Sequence, residues 1–478
     1  MTPLSNDKRK HIFNIEGTTI LFDVESAKLF RIDAVTEDVL GLWNTTSDVG
    51  IYRKLHGRYP KVDIKEAVSE IREMEQMGLL FQKPLQAPRR PENIKFGTRI
   101  VTFTLNVIAG CNLHCRYCWN DGGKYAGKSE GKMSRETAIK AIDFLVQHSN
   151  ENDEITVDFY GGEPFLNFEV IKSTIDYCNE IREKGIRKFD YKITTNGTVM
   201  NDEILEFLLS RRLSIGVSLD GPREAHNFNR PYKNGKGSWN DIITNVLRVM
   251  DAKEIGVSIK ATLSPPNLNK LDTYRFLADM GFYDVEVGFA NEACRLFNAD
   301  SNFVITDEDV GVIKREYLRF AHFYLTELLE KDNATDVAIS NNIAKVYYET
   351  PKTSPCGAGT NTLCVSGTGD LYPCMGFVGI EEYRLGNIDT GLSTDIFNRF
   401  CRQLRGFVFQ CEECVDCWSK YLCGGLCPAN NVQYNGGLKM PYKKGCDMQR
   451  FQNEVIIWLI SEILDRKPSM MKQFKPIV

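Results

Sequence analysis

The sequence has no long apolar run. Its densest, Val455-Ile456-Ile457-Trp458-Leu459-Ile460, is far shorter than the roughly 20 residues a membrane-spanning helix needs, so a spanning helix is not expected. Charge of one sign is missing too. With 59 Lys plus Arg against 63 Asp plus Glu, the formal charge of -4 gives no overall pull toward nucleic acid or an anionic membrane. Lys8, Arg9 and Lys10 have no apolar core behind them and no small-residue cleavage site, so no secretory signal is expected and the chain reads as cytoplasmic. Cysteine, by contrast, is plentiful. Fifteen thiols in a reducing compartment argue for metal or redox chemistry instead of disulfides. At 478 residues the chain is long enough for two to four domains with real cores.

Cys111, Cys115 and Cys118 form C-x3-C-x2-C after a strand-like run, so their sulfurs should share one loop and converge on a point. Three thiolates suit a soft metal. A structural zinc wants four ligands, whereas three thiolates on a four-iron cluster leave one iron open to a small molecule. The spacing alone also admits a zinc knuckle short of a ligand, or three unrelated thiols.

Around this loop the hydrophobic pattern alternates between strand and helix. Strands are expected near 99–107, 154–160, 190–194, 213–219, 256–262 and 284–288, with helices near 134–149, 168–183, 202–211, 239–252 and 267–280. Six repeats with crossover helices imply a parallel sheet in an open, partial barrel, whose functional loops follow the strands. Motifs occur at those positions: the Cys111 loop, then Gly161-Gly162-Glu163-Pro164, Thr195-Asn196-Gly197 and Ser218-Leu219-Asp220-Gly221.

Before this region, residues 11–15, 19–24 and 28–32 are short β-like runs broken at Gly17 and at Glu25-Ser26. The pattern after Asp33 is helical, ending at 63–77 with Asp63 and Glu66 as a capping pair and Gly78 as a stop. Three strands then three helices make a small α+β module. Residues 83–97, with Pro84, Pro88 and Pro91, read as a linker. Helices near 305–330, capped by Thr306, and 334–349 lead to a tail with ten cysteines from Cys356 to Cys446.

The C-x3-C-x2-C loop with Tyr117 before its last Cys, and the ordered motifs after it, resemble the radical S-adenosylmethionine (radical SAM) enzymes. The resemblance implies an α/β fold: a partial (β/α)6 barrel, with a cluster on Cys111, Cys115 and Cys118 whose open iron is chelated by the methionine part of SAM. Gly161, Gly162, Glu163 and Pro164 resemble the segment that holds the amino group of SAM, with Tyr117, Thr195 and Asn196 in the same cofactor site. Ser218 should meet the ribose or carboxylate region and Arg230 the carboxylate.

The tail, Cys414-x2-Cys417-x5-Cys423-x3-Cys427 with Cys446 behind it and Cys356, Cys364 and Gly369-x4-Cys374 ahead of it, resembles the SPASM domain. The resemblance implies two auxiliary four-iron clusters, one on Cys356, Cys364, Cys374 and Cys427, the other on Cys414, Cys417, Cys423 and Cys446. Two zinc sites would satisfy the same ligand count, and Cys411 competes with Cys414 through its own C-x2-C pair. Cys178, Cys294 and Cys401 read as ordinary buried thiols.

The N-terminal module resembles the winged-helix-like recognition element of peptide-modifying enzymes, in which a leader peptide adds a strand beside the third strand. The implied division is 1–82 recognition element, 83–97 linker, 98–305 barrel, 306–350 bridging helices, 351–447 SPASM domain and 448–478 C-terminal helix and tail.

Together these features look closest to thioether-forming maturases of ribosomal peptides. Implied partners are a Cys-containing precursor and an electron donor such as flavodoxin or ferredoxin; implied cofactors are SAM and three [4Fe-4S] clusters. Carbon-carbon crosslinking on the same scaffold is the second reading, and a non-catalytic iron-sulfur or zinc peptide scaffold the third. Sulfatase maturases carry an Asp directly after the Cys of the Tyr-Pro-Cys segment; here that residue is Met375, which cannot accept a proton. No general base is assignable from the sequence.

Overall fold

The computed structural model describes residues 8–87, 100–125, 131–150, 153–290, 303, 305–332, 336–348 and 350–474. Most of the expected linker, and Cys294, lie outside the described residues.

Strands β1 (Lys10–Ile15), β2 (Thr18–Asp23) and β3 (Leu29–Arg31) form an antiparallel sheet with β2 central. Its alternating side chains serve two cores. Leu21 packs with Val39, Trp43, Ile64 and Ile71 of helices α1 (Ala34–Leu42), α2 (Asp48–Leu55) and α3 (Lys61–Gln76), while Ile20 and Phe22 pack into the main body. Asp33 caps α1 by accepting from the Thr36 amide at 2.8 Å, and Ser47 caps α2. The start of α3 differs from expectation. Its N-cap is Pro60, without a side-chain bond, because the proline's fixed φ of -57° leads the chain straight into the helix; Asp63 sits in the first turn and makes no capping pair with Glu66. Gly78, at φ +70°, ends the helix as expected.

The second sheet has β4 (Thr102–Ile108), β5 (Glu154–Gly161), β6 (Lys188–Thr195), β7 (Ile215–Ser218), β8 (Val257–Leu263) and β9 (Asp284–Phe289) in sequential parallel order. Crossovers run through α4 (Arg135–Gln147), α5 (Phe168–Glu183), α6 (Asp202–Arg211), α7 (Arg223–Asn229), α8 (Trp239–Ala252) and α9 (Lys270–Asp279). Residues such as Ile155, Val157 and Phe159 on β5 are buried against the helices, and Thr156, Asp158 and Tyr160 face the concave side. The six-strand order follows the expected pattern, and α7, which carries the chain toward Arg230, was not anticipated.

After α10 (Asp307–Lys331), with its Thr306 capping box, and α11 (Val337–Tyr347), the tail returns to the same sheet. Strand β10 (Thr362–Val365) pairs parallel to β4, and β11 (Asp370–Tyr372), β12 (Gly386–Asn387) and β13 (Gly391–Leu392) continue it antiparallel, giving ten strands ending at β13 and β9. Short helices α12 (Thr394–Leu404), α13 (Glu412–Val415), α14 (Lys420–Cys423) and α15 (Pro428–Asn435) carry the later cysteines.

The last helix, α16 (Lys443–Arg466), holds the apolar run 455–460 at no more than 2% exposure. That run is buried all round because α10, α11 and the small sheet pack against the helix. Each such side chain contributes about 1.5–3 kcal/mol on burial. Arg31 of β3 fastens this helix through Ser461 and Glu462, at 2.7 and 2.8 Å. Among the described residues no helix is long and apolar enough to cross a membrane.

Candidate functional site

Beyond Ile108 the chain turns over the C-terminal end of the sheet, and its neighbours hold the loop in place. The His114 amide donates to the Pro231 carbonyl at 2.8 Å and the Arg116 amide to that of Asn229 at 2.9 Å. Three half-buried thiols result, with donors aimed at two of them: Leu113 N–H and Asn196 Nδ2 reach Cys111 Sγ at 3.4 and 3.6 Å, and Gly122 N–H reaches Cys118 Sγ at 3.2 Å. Burial pushes the Cys115 thiol up to about 12 and raises Cys111 and Cys118, so protons stay on the sulfurs until a metal displaces them. Amide donors on sulfur are what cluster thiolates require, so this set fits the implied group.

The Gly-Gly-Glu-Pro segment braces the loop. A Cβ on Gly162 would lie 2.1 Å from the Gly110 carbonyl oxygen, so a glycine is required for the two backbones to touch. The Gly162 amide donates to Ile108 and the Glu163 amide to Gly110, both at 3.0 Å. Glu163 is fully buried, and its carboxylate accepts from Thr195 Oγ1 and the Asn196 amide at 2.7 Å and from the Phe165 amide at 3.1 Å. Its carboxylate therefore ties two loops together. Pro164 opens the short turn that follows, and the Gly161 carbonyl accepts from Asn120 at 3.4 Å.

Tyr117 enters a buried network the sequence did not disclose. Its hydroxyl donates to Asp220 Oδ2 at 2.6 Å and accepts from Arg230 Nη1 at 2.7 Å. Asp220 Oδ1 accepts from the Thr262 amide at 3.0 Å. His226 Nδ1 accepts from the Asp220 amide at 3.1 Å, and burial lowers this imidazole to about 3, which keeps it neutral. Arg230 is 8% exposed, and its buried Nε has no hydrogen-bond partner among the described residues. An unpaired guanidinium donor beside the thiol loop suits an anionic ligand group. Ser218 ends β7 on the concave face, paired with Lys260.

In the tail, Cys356, Cys374 and Cys427 lie within electrostatic reach of one another, each thiol near the next. Cys364 is fully buried on β10 opposite Tyr372 and within electrostatic reach of Tyr125, while Cys374 lies two residues past Tyr372, beyond the end of β11. The later set gathers five thiols: Cys414 lies by Cys411, Cys423 and Cys417, and Cys446 by Cys423, Cys417 and Cys411. Arg450, unnoticed in the sequence, donates toward Cys417 Sγ at 3.9 Å from the turn after Cys446. Cys178 and Cys401 are buried, as expected. Among the described residues no three His, Cys, Asp or Glu side chains close tightly enough around a point to hold a single metal ion.

Two cavities among the described residues bear on the site. One, of about 840 Å³, lies in the barrel lumen between Tyr160 and the strand starts near Tyr283, with Asp158, Lys192 and Met375 in its wall. The other, of about 580 Å³, is a groove between β3, α3 and α16, lined by Phe30, Arg31, Met74 and Leu464.

Residues 105–277 match the model of the Radical SAM superfamily. Over 170 residues the chain is 34% identical to an uncharacterized protein of Methanocaldococcus jannaschii, spanning 36% of this chain and 55% of that protein. It is 21% identical over 485 residues to the radical SAM cyclopropyl synthase TigE of Paramaledivibacter caminithermalis, covering 95% of this chain and 96% of that protein. Among solved structures, anSMEcpe with bound AdoMet and the Cp18Cys peptide is similar in fold, with a TM-score of 0.63 and 19% identity over 78% of this chain and 99% of that one.

Proposed function

We propose, from the match of residues 105–277 to the Radical SAM superfamily, that this chain is a maturase that binds the leader of a ribosomally made precursor peptide and joins a Cys sulfur to a carbon of another residue. The observation that carries this reading is the buried three-thiol loop, with amide donors on its sulfurs and the unpaired Arg230 Nε beside it.

Cys111, Cys115 and Cys118 would hold the SAM-binding cluster, with the Gly161 and Gly162 backbone toward the amino group of SAM, Arg230 toward its carboxylate and Ser218 toward its ribose or carboxylate region. When loaded, that pair supplies a 5′-deoxyadenosyl radical able to take hydrogen from an unactivated carbon. The chain's own contribution is to orient and to exclude water: Tyr117, Asp220 and Asn196 are buried around the loop. Dryness protects any radical from solvent.

Cys356, Cys364, Cys374 and Cys427 would hold one auxiliary cluster, and Cys414, Cys417, Cys423 and Cys446 the other. The groove beside β3 supports leader binding as an added strand, since β3 is an outer strand of its sheet. A flavodoxin or ferredoxin would deliver electrons, in the cytoplasm.

A second reading, carbon-carbon bond formation, is favoured by the end-to-end similarity to a cyclopropyl synthase. One assay separates the two. Anaerobic reaction with SAM, reductant and precursor should yield 5′-deoxyadenosine and a peptide lighter by two hydrogens. Loss of an alkylatable thiol supports the thioether; an intact thiol supports the carbon-carbon bond; no 5′-deoxyadenosine defeats both.

A further inference from the structure

Met375 stands where a carboxylate would follow Cys374, so the tail supplies no base at that position. The cavity wall that holds Met375 also holds a carboxylate from another element, Asp158 of β5. Alternation along β5 sends Asp158 to the concave side with Tyr160, and Tyr160 stacks on Trp119 beneath the thiol loop at 6.5 Å between ring centroids. The cavity thus runs from the strand starts, past Asp158, to Tyr160.

We propose that Asp158 is the acid-base residue of this lumen, accepting a proton from a substrate peptide group that enters the cavity between Tyr160 and Met375. The inference rests on the maturase reading. The step is a proton transfer alone: the substrate X–H bond breaks heterolytically, its electron pair stays on X, and the carboxylate becomes a carboxylic acid. That proton later leaves to water through the mouth near Gly281 and Tyr283. No electron moves in this step, so it needs no oxidant of its own.

The surroundings suit the task. Across the sheet Asp158 is paired in register with Thr104 of β4 and Lys192 of β6, and Thr104 Oγ1 donates to it at 3.5 Å. Beyond Thr104 stands Cys364 of β10. From β8 and β9 come Lys260 and Glu286, an ion pair with each other, and at the mouth lie Lys253 and Asp284. Burial raises the Asp158 carboxyl to about 6 against the opposing pull of Lys192. A base near neutrality is the efficient kind.

Two measurements test this. Carbodiimide with glycine ethyl ester, which captures protonated carboxyls, is applied to the full chain across pH and the label mapped by digestion. Label at Asp158 should fall through a midpoint near 6. In parallel, pH profiles of turnover are recorded with a synthetic Cys-containing peptide that the wild type modifies. The wild type should show an acid limb near 6; Asp158→Asn should lose that limb and on the order of 10²–10⁴ in rate. Asp158→Glu should restore part of the rate with a displaced limb. An Asn variant with wild-type rate and limb, or a label midpoint in the ordinary carboxylate range, overturns the proposal. A wild type that makes no 5′-deoxyadenosine defeats the maturase reading instead, and the labelling still decides whether Asp158 holds its proton near neutrality.

Discussion

Gly162→Ala probes the contact on which the cluster loop depends. The new Cβ would sit 2.1 Å from the Gly110 oxygen, 2.3 Å from its carbonyl carbon and 2.8 Å from the Cys111 amide nitrogen. Ordinary contact needs roughly 3.2 Å, so the loop must retreat by about 1 Å. Retreat stretches the two 3.0 Å bonds from the Gly162 and Glu163 amides, each contributing about 1 kcal/mol, and overpacking adds about 1–3 kcal/mol. A total of about 3–5 kcal/mol corresponds to a factor of roughly 10² to 4 × 10³ in how often the three thiols are correctly placed. The assay is iron and sulfide content with Mössbauer spectra, alongside 5′-deoxyadenosine formation. About four of roughly twelve irons should be lost, with SAM cleavage, while the auxiliary irons stay. Gly41→Ala, where a Cβ meets nothing within 4 Å, is the control and should change neither reading. Full iron and wild-type cleavage in Gly162→Ala would refute the contact argument.

Cys411→Ser should keep the iron of the later tail site and Cys414→Ser should lose about four irons, by elemental analysis; the reverse result would shift the ligand register to Cys411. His226 is held near 3 when folded, so the unfolded chain binds a proton below pH 6.5 that the folded chain refuses, and stability falls as pH drops toward 3. Urea melts at pH 6.5 and 5 should show the wild type losing about 2 kcal/mol more than His226→Asn. Met74→Trp, which fills the groove beside β3, should cut peptide processing at low peptide concentration yet leave peptide-independent SAM cleavage intact; processing at the wild-type rate would remove leader binding from that groove.

Local signals made much of this molecule legible. Helices α5, α6 and α8 begin and end where the periodicity put them, because each is a local amphipathic segment. The loop thiols and the Gly-Gly-Glu-Pro turn were readable as motifs because their function depends on spacing along a few residues. Asn120 and Arg450 were not, and Asp220 was legible only as part of a motif without its partner, since each meets a group far away in sequence: Asp220 meets Tyr117 across 103 positions, Asn120 the Gly161 carbonyl across 41, and Arg450 meets Cys417 across 33. A carboxylate in a strand such as Asp158 looks like an ordinary polar face until the sheet curves and the tail closes one side of it.

The return of the tail to the barrel sheet was likewise invisible, because β10 has four residues and no pattern that names β4 as its partner. Its consequence is mechanical. Parallel pairing of Cys364 with Thr104 fixes the tail in register with the strand whose end carries Cys111, seven residues on. At about 3.3 Å per residue, that separation is at most roughly 23 Å along the strand. A slip of one residue would turn Cys364 to the opposite face. The strand that leads into the loop thiols and the strand that carries Cys364, read separately in the sequence as a barrel motif and a tail motif, are therefore neighbours in one continuous sheet, and Asp158 stands one strand over from Thr104 on the side away from Cys364.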